Sequence, residues 1–186
     1  KYSLLFLISA ALLSCNPKQE DAAKQETAAA ADTVNIEARL KELNIELTTP
    51  KPPTANFVKT VRIGNLVYTS GHGPDRAEGG PMTGRVGDDL TLEQGQEAAR
   101  LTGVALLSSL KAEIGDLSKV KRVVKVLGMV QCTPEFKDQP KVMNAFSDMM
   151  VAIFGEKGKH ARSAVGFSAL PGNIAIEIEM IVEVED

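Results

Sequence analysis

The closing stretch HARSAVGFSALPGNIAIEIEMIVEVED, residues 160–186, carries one arginine, Arg162, and an acidic series formed by Glu177, Glu179, Glu183 and Glu185. A guanidinium presents two parallel donors that fit a carboxylate. Ile174, Ile176, Ile178, Met180, Val182 and Val184 alternate with the glutamates, which predicts a strand with one greasy and one mostly acidic face. The segment before it alternates too, with Val165, Phe167 and Ala169 on one face and Arg162, Ala164, Gly166 and Ser168 on the other. If the two strands pair antiparallel, matching greasy to greasy puts Arg162 and Glu177 on the same side of the sheet. Whether Gly166 or Ala164 opposes Glu177 is left open. A face with a cation, carboxylates and only small residues between them suggests a ligand cleft; the bland alternative is a polar face that is simply wet.

Other reactive residues are sparse. The two histidines, His72 and His160, and one internal cysteine, Cys132, make no metal-ligand cluster. His72, in SGHGP, either touches a ligand or is an ordinary solvated loop side chain, and the case for His160 is weaker. Cys132 ends an apolar run, where a buried inert thiol is expected. GHGPDRAEGG lacks both the GxGxxG spacing and a following helix start, so it is no phosphate loop. A net charge of -3 and the absence of Trp argue against nucleic acid as a partner.

These residues need a scaffold, and 186 residues suffice for one well-buried core. NIEARLKELNIEL has helical spacing at Ile36, Leu40 and Leu43, and the prolines of TTPKPPT stop it. FVKTVRI and LVYTSG flank Gly64-Asn65 as a hairpin. Residues 71–87 form a long Gly- and Pro-containing loop with a short strand near Met82. Thr91 to about Glu113 reads as a helix with Thr91 and Gln94 spaced as a capping box. VKRVVKVLGMVQC is apolar on both faces, as a central strand should be. Asp138 can cap a second helix, with Pro140 in its first turn and Val142, Phe146, Met149 and Ile153 inward.

Upstream, residues 4–13 are apolar over the length of a signal-peptide core and are too short to span a bilayer. Leu12-Leu13-Ser14-Cys15 resembles the bacterial lipobox, in which the cysteine is acylated; an ordinary secretory signal with an incidental cysteine is the alternative. The expected organisation is a lipoprotein signal over 1–14, a polar, alanine-rich tether over 15–34 and one domain over 35–186. The chain would then be exported and held in the bacterial cell envelope by lipid on Cys15.

ARSAVGFSALPGNIAIEIE resembles the signature of the Rid family, the reactive intermediate deaminases also called YjgF. ANFVKTVRIGNLVYTSGHGP is similar to that family's opening hairpin and VMNAFSDMMVAIFG to its second helix, in the same order. The resemblance covers about residues 54–184, and the extra N-terminal helix resembles longer members. It implies an α+β, chorismate-mutase-like subunit: a six-stranded mixed sheet backed by two helices, assembled as a homotrimer with clefts between subunits. It further implies that Arg162 binds the carboxylate of a 2-imino or enamino acid and that Glu177 positions water. Ser70 and Gly71 match backbone contacts in the cleft, and Asn144 matches a helix residue near it. Phe57 stands where many members have Tyr, Ala164 where Cys is common and His72 where Gln is common. No metal or cofactor is implied. The reaction would release ammonia and a 2-keto acid; a non-catalytic trimeric module for a small carboxylate is the alternative.

Overall fold

A computed structural model describes residues 35–76 and 78–186; the segments read as signal and tether lie outside the described residues. The chain opens with α1 (Ile36–Glu42), whose N-cap Asn35 accepts from the Ala38 amide at 3.0 Å and whose Ile36 and Leu40 are buried. β1 (Thr60–Ile63) and β2 (Leu66–Thr69) follow as the expected hairpin, and Gly64, with φ of 58°, supplies the left-handed turn residue.

α2 (Leu92–Ile114) begins with both halves of the capping box in place: the Gln94 amide donates to Thr91 Oγ1 and the Thr91 amide donates to Gln94 Oε1. β3 (Val120–Gln131) leads into α3 (Gln139–Phe154), β4 (Ala161–Phe167) and β5 (Ile176–Val184). Asp138 does occupy the N-cap of α3, but its carboxylate makes no capping bond; it pairs with Lys141 Nζ at 3.1 Å instead.

The sheet has five strands in the order β1, β2, β5, β3, β4, all neighbours antiparallel except β3 and β4. The expected sixth strand near Met82 is reduced to isolated bridges, Thr83 to Ile174 and Asp75 to Pro81. Four glycines at positive φ, Gly79, Gly80, Gly84 and Gly87, break the extended run there.

α2 and α3 cover one face of the sheet. Their inward residues, Leu106, Leu107, Leu110, Val142, Met143, Phe146 and Ile153, join Val126, Val130, Ile176, Ile178 and Val182 in a single core. The helices approach closely because Gly103 has no side chain: a Cβ there would lie 3.1 Å from the Phe146 ring. The other face has no helix, and it is not polar. Ile63 is 66% exposed, Phe167 41% and Val165 39%. No helix among the described residues is long and apolar enough to cross a membrane.

The last two strands do not pair. β4 lies on the far side of β3, parallel to it, while β5 takes the other edge of β3. Val126 is level with both Arg162 and Met180, so Arg162 shares the helix-covered face; Met129 is level with both Val165 and Glu177, so Glu177 shares the open face. The expectation that the two residues lie on one side of the sheet is therefore wrong within a single chain. It assumed that the greasy side of β4 faces its own core, whereas Val165 and Phe167 look outward.

Candidate functional site

The sequence-predicted residues fall into two clusters on opposite faces. On the open face, the chain leaves β2 with the Ser70 amide donating to the Lys59 carbonyl at 2.9 Å and Ser70 Oγ donating to the Val58 carbonyl at 2.6 Å. His72 then exchanges both backbone hydrogen bonds with Ile178, at 2.9 and 3.0 Å, which fixes the path over β5. Gly71, one residue earlier, faces the open side, and the Glu177 carboxylate fills the space a side chain would need. A Cβ at Gly71 would lie 2.7 Å from Glu177 Cδ and 2.9 Å from Cγ. Partial burial, and secondarily repulsion from Glu179, raise the Glu177 pKa above the ordinary carboxylate value. That shift brings it nearer to neutral, where a carboxylate is a better proton acceptor. Phe57, 48% exposed, stands on the segment leading into β1.

The second cluster lies on the helix side, at the outer edge strand. Arg162 Nη1 donates to Asn144 Oδ1 at 3.1 Å and to Ser147 Oγ at 2.9 Å, both from α3. Asn144 and Ser147 are one turn apart on that helix, so they present side by side. His160 Nε2 lies 3.1 Å from Ser147 Oγ, and its Nδ1 lies 2.7 Å from the Gly158 carbonyl. Burial is the main cause lowering the His160 pKa, with the Arg162 charge adding to it against the raising effect of the Gly158 carbonyl.

The small residues of β4 have a packing cause. Ala164 is level with Gly128 and packs against the core. A Cβ on Gly166 would sit 2.8 Å from Cys132 Sγ and 2.8 Å from Gln139 Nε2. The missing bulk thus makes room for the start of α3, and the cleft inferred from it is absent at that point. Cys132 itself is buried and free, as expected.

His72 belongs to neither cluster. It is 3% exposed, with Nδ1 2.8 Å from the Ser70 carbonyl and Nε2 2.7 Å from Ser109 Oγ on α2. Burial, as the largest cause, lowers its pKa. It ties the end of β2 to the helix layer, where a solvated or ligand-touching loop side chain was expected. A hollow of about 470 Å³ between residues 44–51 and α2 is lined by His72, Lys59 and Arg100, and neither Arg162 nor Glu177 reaches it. Among the described residues no group of His, Cys, Asp or Glu is arranged to hold a metal. Cys15 lies outside the described residues.

Ser147 escaped the sequence reading, although its spacing from Asn144 on an amphipathic helix was a usable signal. His160 stands two residues before Arg162 in the chain, and Ser147 links the two side chains.

Comparison with known proteins accords with the fold. Residues 37–184 match the family model described as "YjgF/chorismate_mutase-like, putative endoribonuclease". Protein TCP17 of Trypanosoma cruzi is 40% identical over 152 residues, covering 81% of this chain and 95% of that protein. A crystal structure of an Agrobacterium tumefaciens protein of unknown function is 43% identical, with a TM-score of 0.75, over 81% of this chain and 94% of that one. A 2-iminobutanoate/2-iminopropanoate deaminase of Dermatophagoides farinae is 29% identical over 134 residues, covering 72% of this chain and 89% of the relative.

Proposed function

This chain belongs to the YjgF/Rid family of chorismate-mutase-like proteins, and we propose that within it the protein hydrolyses reactive 2-imino acids to 2-keto acids and ammonia. The observation that carries the reading is the Glu177 carboxylate, its pKa raised, lying against the bare backbone of Gly71. The more distant deaminase relative supports the substrate class. In this reading Arg162 grips the substrate carboxylate, Glu177 holds a water at the electrophilic C=N carbon and takes its proton, and ammonia leaves. Ser70 and Gly71 line the pocket through their backbone, with Phe57 and Asn144 around it, while Ala164, packed on the core, takes no part. No cofactor enters the scheme.

Because Arg162 and Glu177 project to opposite faces, one copy cannot bring them to one substrate. We infer that the site is completed between neighbouring copies in a homotrimer. The helix-free face supports this: Ile63, Val61, Tyr68, Val165 and Phe167 leave an apolar surface exposed, of a kind that marks a protein contact. Anchoring of the assembly to the cell envelope through Cys15 is part of the same proposal and rests on the lipobox-like sequence. A second reading, a non-catalytic carboxylate-binding module, is favoured by one observation: the Arg162 cluster is fully built without Glu177.

The test is ammonia release from 2-iminobutanoate generated by an amino-acid oxidase. Arg162→Ala and Glu177→Gln are each expected to be inactive. Subunits of the two variants, mixed and reassembled, should regain about a quarter of wild-type activity, since a random cyclic assembly restores about one interface in four. No recovery on mixing would reject the shared site. Wild type at the uncatalysed rate, with keto-acid binding that depends on Arg162, would establish the module instead.

A further inference from the structure

The hydrogen bonds around Arg162 have a direction. Gly158 sits in a 3-10 turn (Gly155–Gly158) docked on α3 so closely that a Cβ there would overlap the Met150 carbonyl, and this fixes the Gly158 oxygen. A carbonyl only accepts, so His160 Nδ1, 2.7 Å away, carries the ring hydrogen. The lowered pKa keeps the ring neutral near pH 7, leaving Nε2 as an acceptor. Ser147 therefore donates its hydroxyl hydrogen to Nε2 and turns its oxygen lone pairs to Arg162 Nη1. Asn144 Oδ1 takes the other Nη1 hydrogen.

Nη1 is thereby fully used. Nη2 makes one long contact, 3.5 Å to the Pro140 carbonyl, and Nε has no partner among the described residues. What is left over is the Nε–Nη2 edge, with its two parallel N–H groups. Arg100 uses the same edge to hold Glu97, with Nε and Nη2 at 2.9 and 3.0 Å from the two carboxylate oxygens. This chain thus contains both a filled and an open example of the same fork.

We propose that Ser147 and His160 are positioning residues, which lock Nη1 of Arg162 onto α3 and so turn its Nε–Nη2 edge outward as the fork for the substrate carboxylate. The inference rests on the carboxylate-binding role of Arg162 and adds the parts that aim it. Lysine cannot replace the arginine in such a device, because a single ammonium has no second edge to present.

The test compares binding of 2-oxobutanoate and of its neutral amide, 2-oxobutanamide, to the full chain and its variants by calorimetry. Wild type should prefer the acid. Ser147→Ala should weaken the acid roughly tenfold, the loss of one hydrogen bond to a charged group, while leaving the amide within about twofold; Ser147→Thr, which keeps the hydroxyl, should restore the preference. Ring 15N shifts should find Nε2 of His160 bare at pH 7.5. Equal weakening of acid and amide in Ser147→Ala, undiminished acid binding in that variant, or a protonated Nε2 overturns the relay. If Arg162→Ala binds the acid as wild type does, the carboxylate-binding reading itself has failed and the positioning role falls with it; loss in Arg162→Ala with no loss in Ser147→Ala rejects the relay alone.

Discussion

Replacing Gly71 by alanine should separate the chemistry of the open-face cluster from its stability. Gly71 is not at positive φ, so an alanine backbone fits without strain. Shortening the list of unfolded conformations should favour the folded state by about 0.4–1 kcal/mol. Against that, the new methyl would stand 2.7 Å from Glu177 Cδ, closer than the roughly 3.5 Å of a normal carbon contact. The carboxylate must retreat by about 1 Å or more. It is the end of a flexible side chain on a partly open face, so the cost is an off-rotamer turn of about 0.5–1.5 kcal/mol. The two effects nearly cancel, and Tm should move by only a few degrees. Activity should not be spared, because a 1 Å misplacement of a reacting group costs on the order of 100-fold. The assay is initial ammonia release at saturating 2-iminobutanoate, with thermal unfolding on the same samples. Wild-type kcat in a folded Gly71→Ala protein would refute the placement of Glu177 as the water-holding group. A collapse in Tm would refute the packing argument.

Two further outcomes follow from other residues. His72 and His160 both have lowered pKa values, so below the reference value of 6.5 the unfolded chain binds protons first. Stability should be level above pH 7 and fall as pH drops from about 6.5, by at most about 1.4 kcal/mol per pH unit for the well-buried His72; His72→Gln should flatten that limb in a series of thermal melts, and an unchanged limb would clear His72 of the effect. For the anchor, labelling of cells with a fatty-acid analogue should mark the wild-type protein and fail after Cys15→Ser, and persistent labelling would remove the lipid from Cys15.

Much of the scaffold was legible because its signals are local. Thr91 and Gln94 announce the start of α2 by spacing alone, and β5 is read from a period-two pattern that holds from Ile176 to Val184. The pairing of β4 was not legible from hydrophobic matching. Val165 and Phe167 look like core residues by type, and type cannot say whether a greasy face meets its own core or another molecule. A different rule did hold the answer. A strand, a helix and a strand in succession favour a parallel crossover, which is how β3, α3 and β4 are arranged. Gly166 and Ala164 misled for a related reason: smallness marks a close approach, and only the fold says whether the visitor is a ligand or, as here, Gln139 and Cys132.

The separation of Arg162 and Glu177 has a chemical advantage over the single-face arrangement that pattern alone suggested. Had the two shared a face within one chain, the free guanidinium edge would have been available to Glu177, as the same edge of Arg100 is to Glu97. A substrate carboxylate would then have to displace an existing charge-assisted pair, and Glu177, paired with a cation, would have its pKa pushed down and would be a poorer base. On opposite faces neither happens. Arg162 is held by neutral oxygens from Asn144 and Ser147, which orient it without neutralising it. Glu177 lies against the Gly71 backbone, and its partial burial, with the repulsion of Glu179 second, keeps its pKa high. Assembly of copies would then bring an unspent cation and a basic carboxylate together around the substrate.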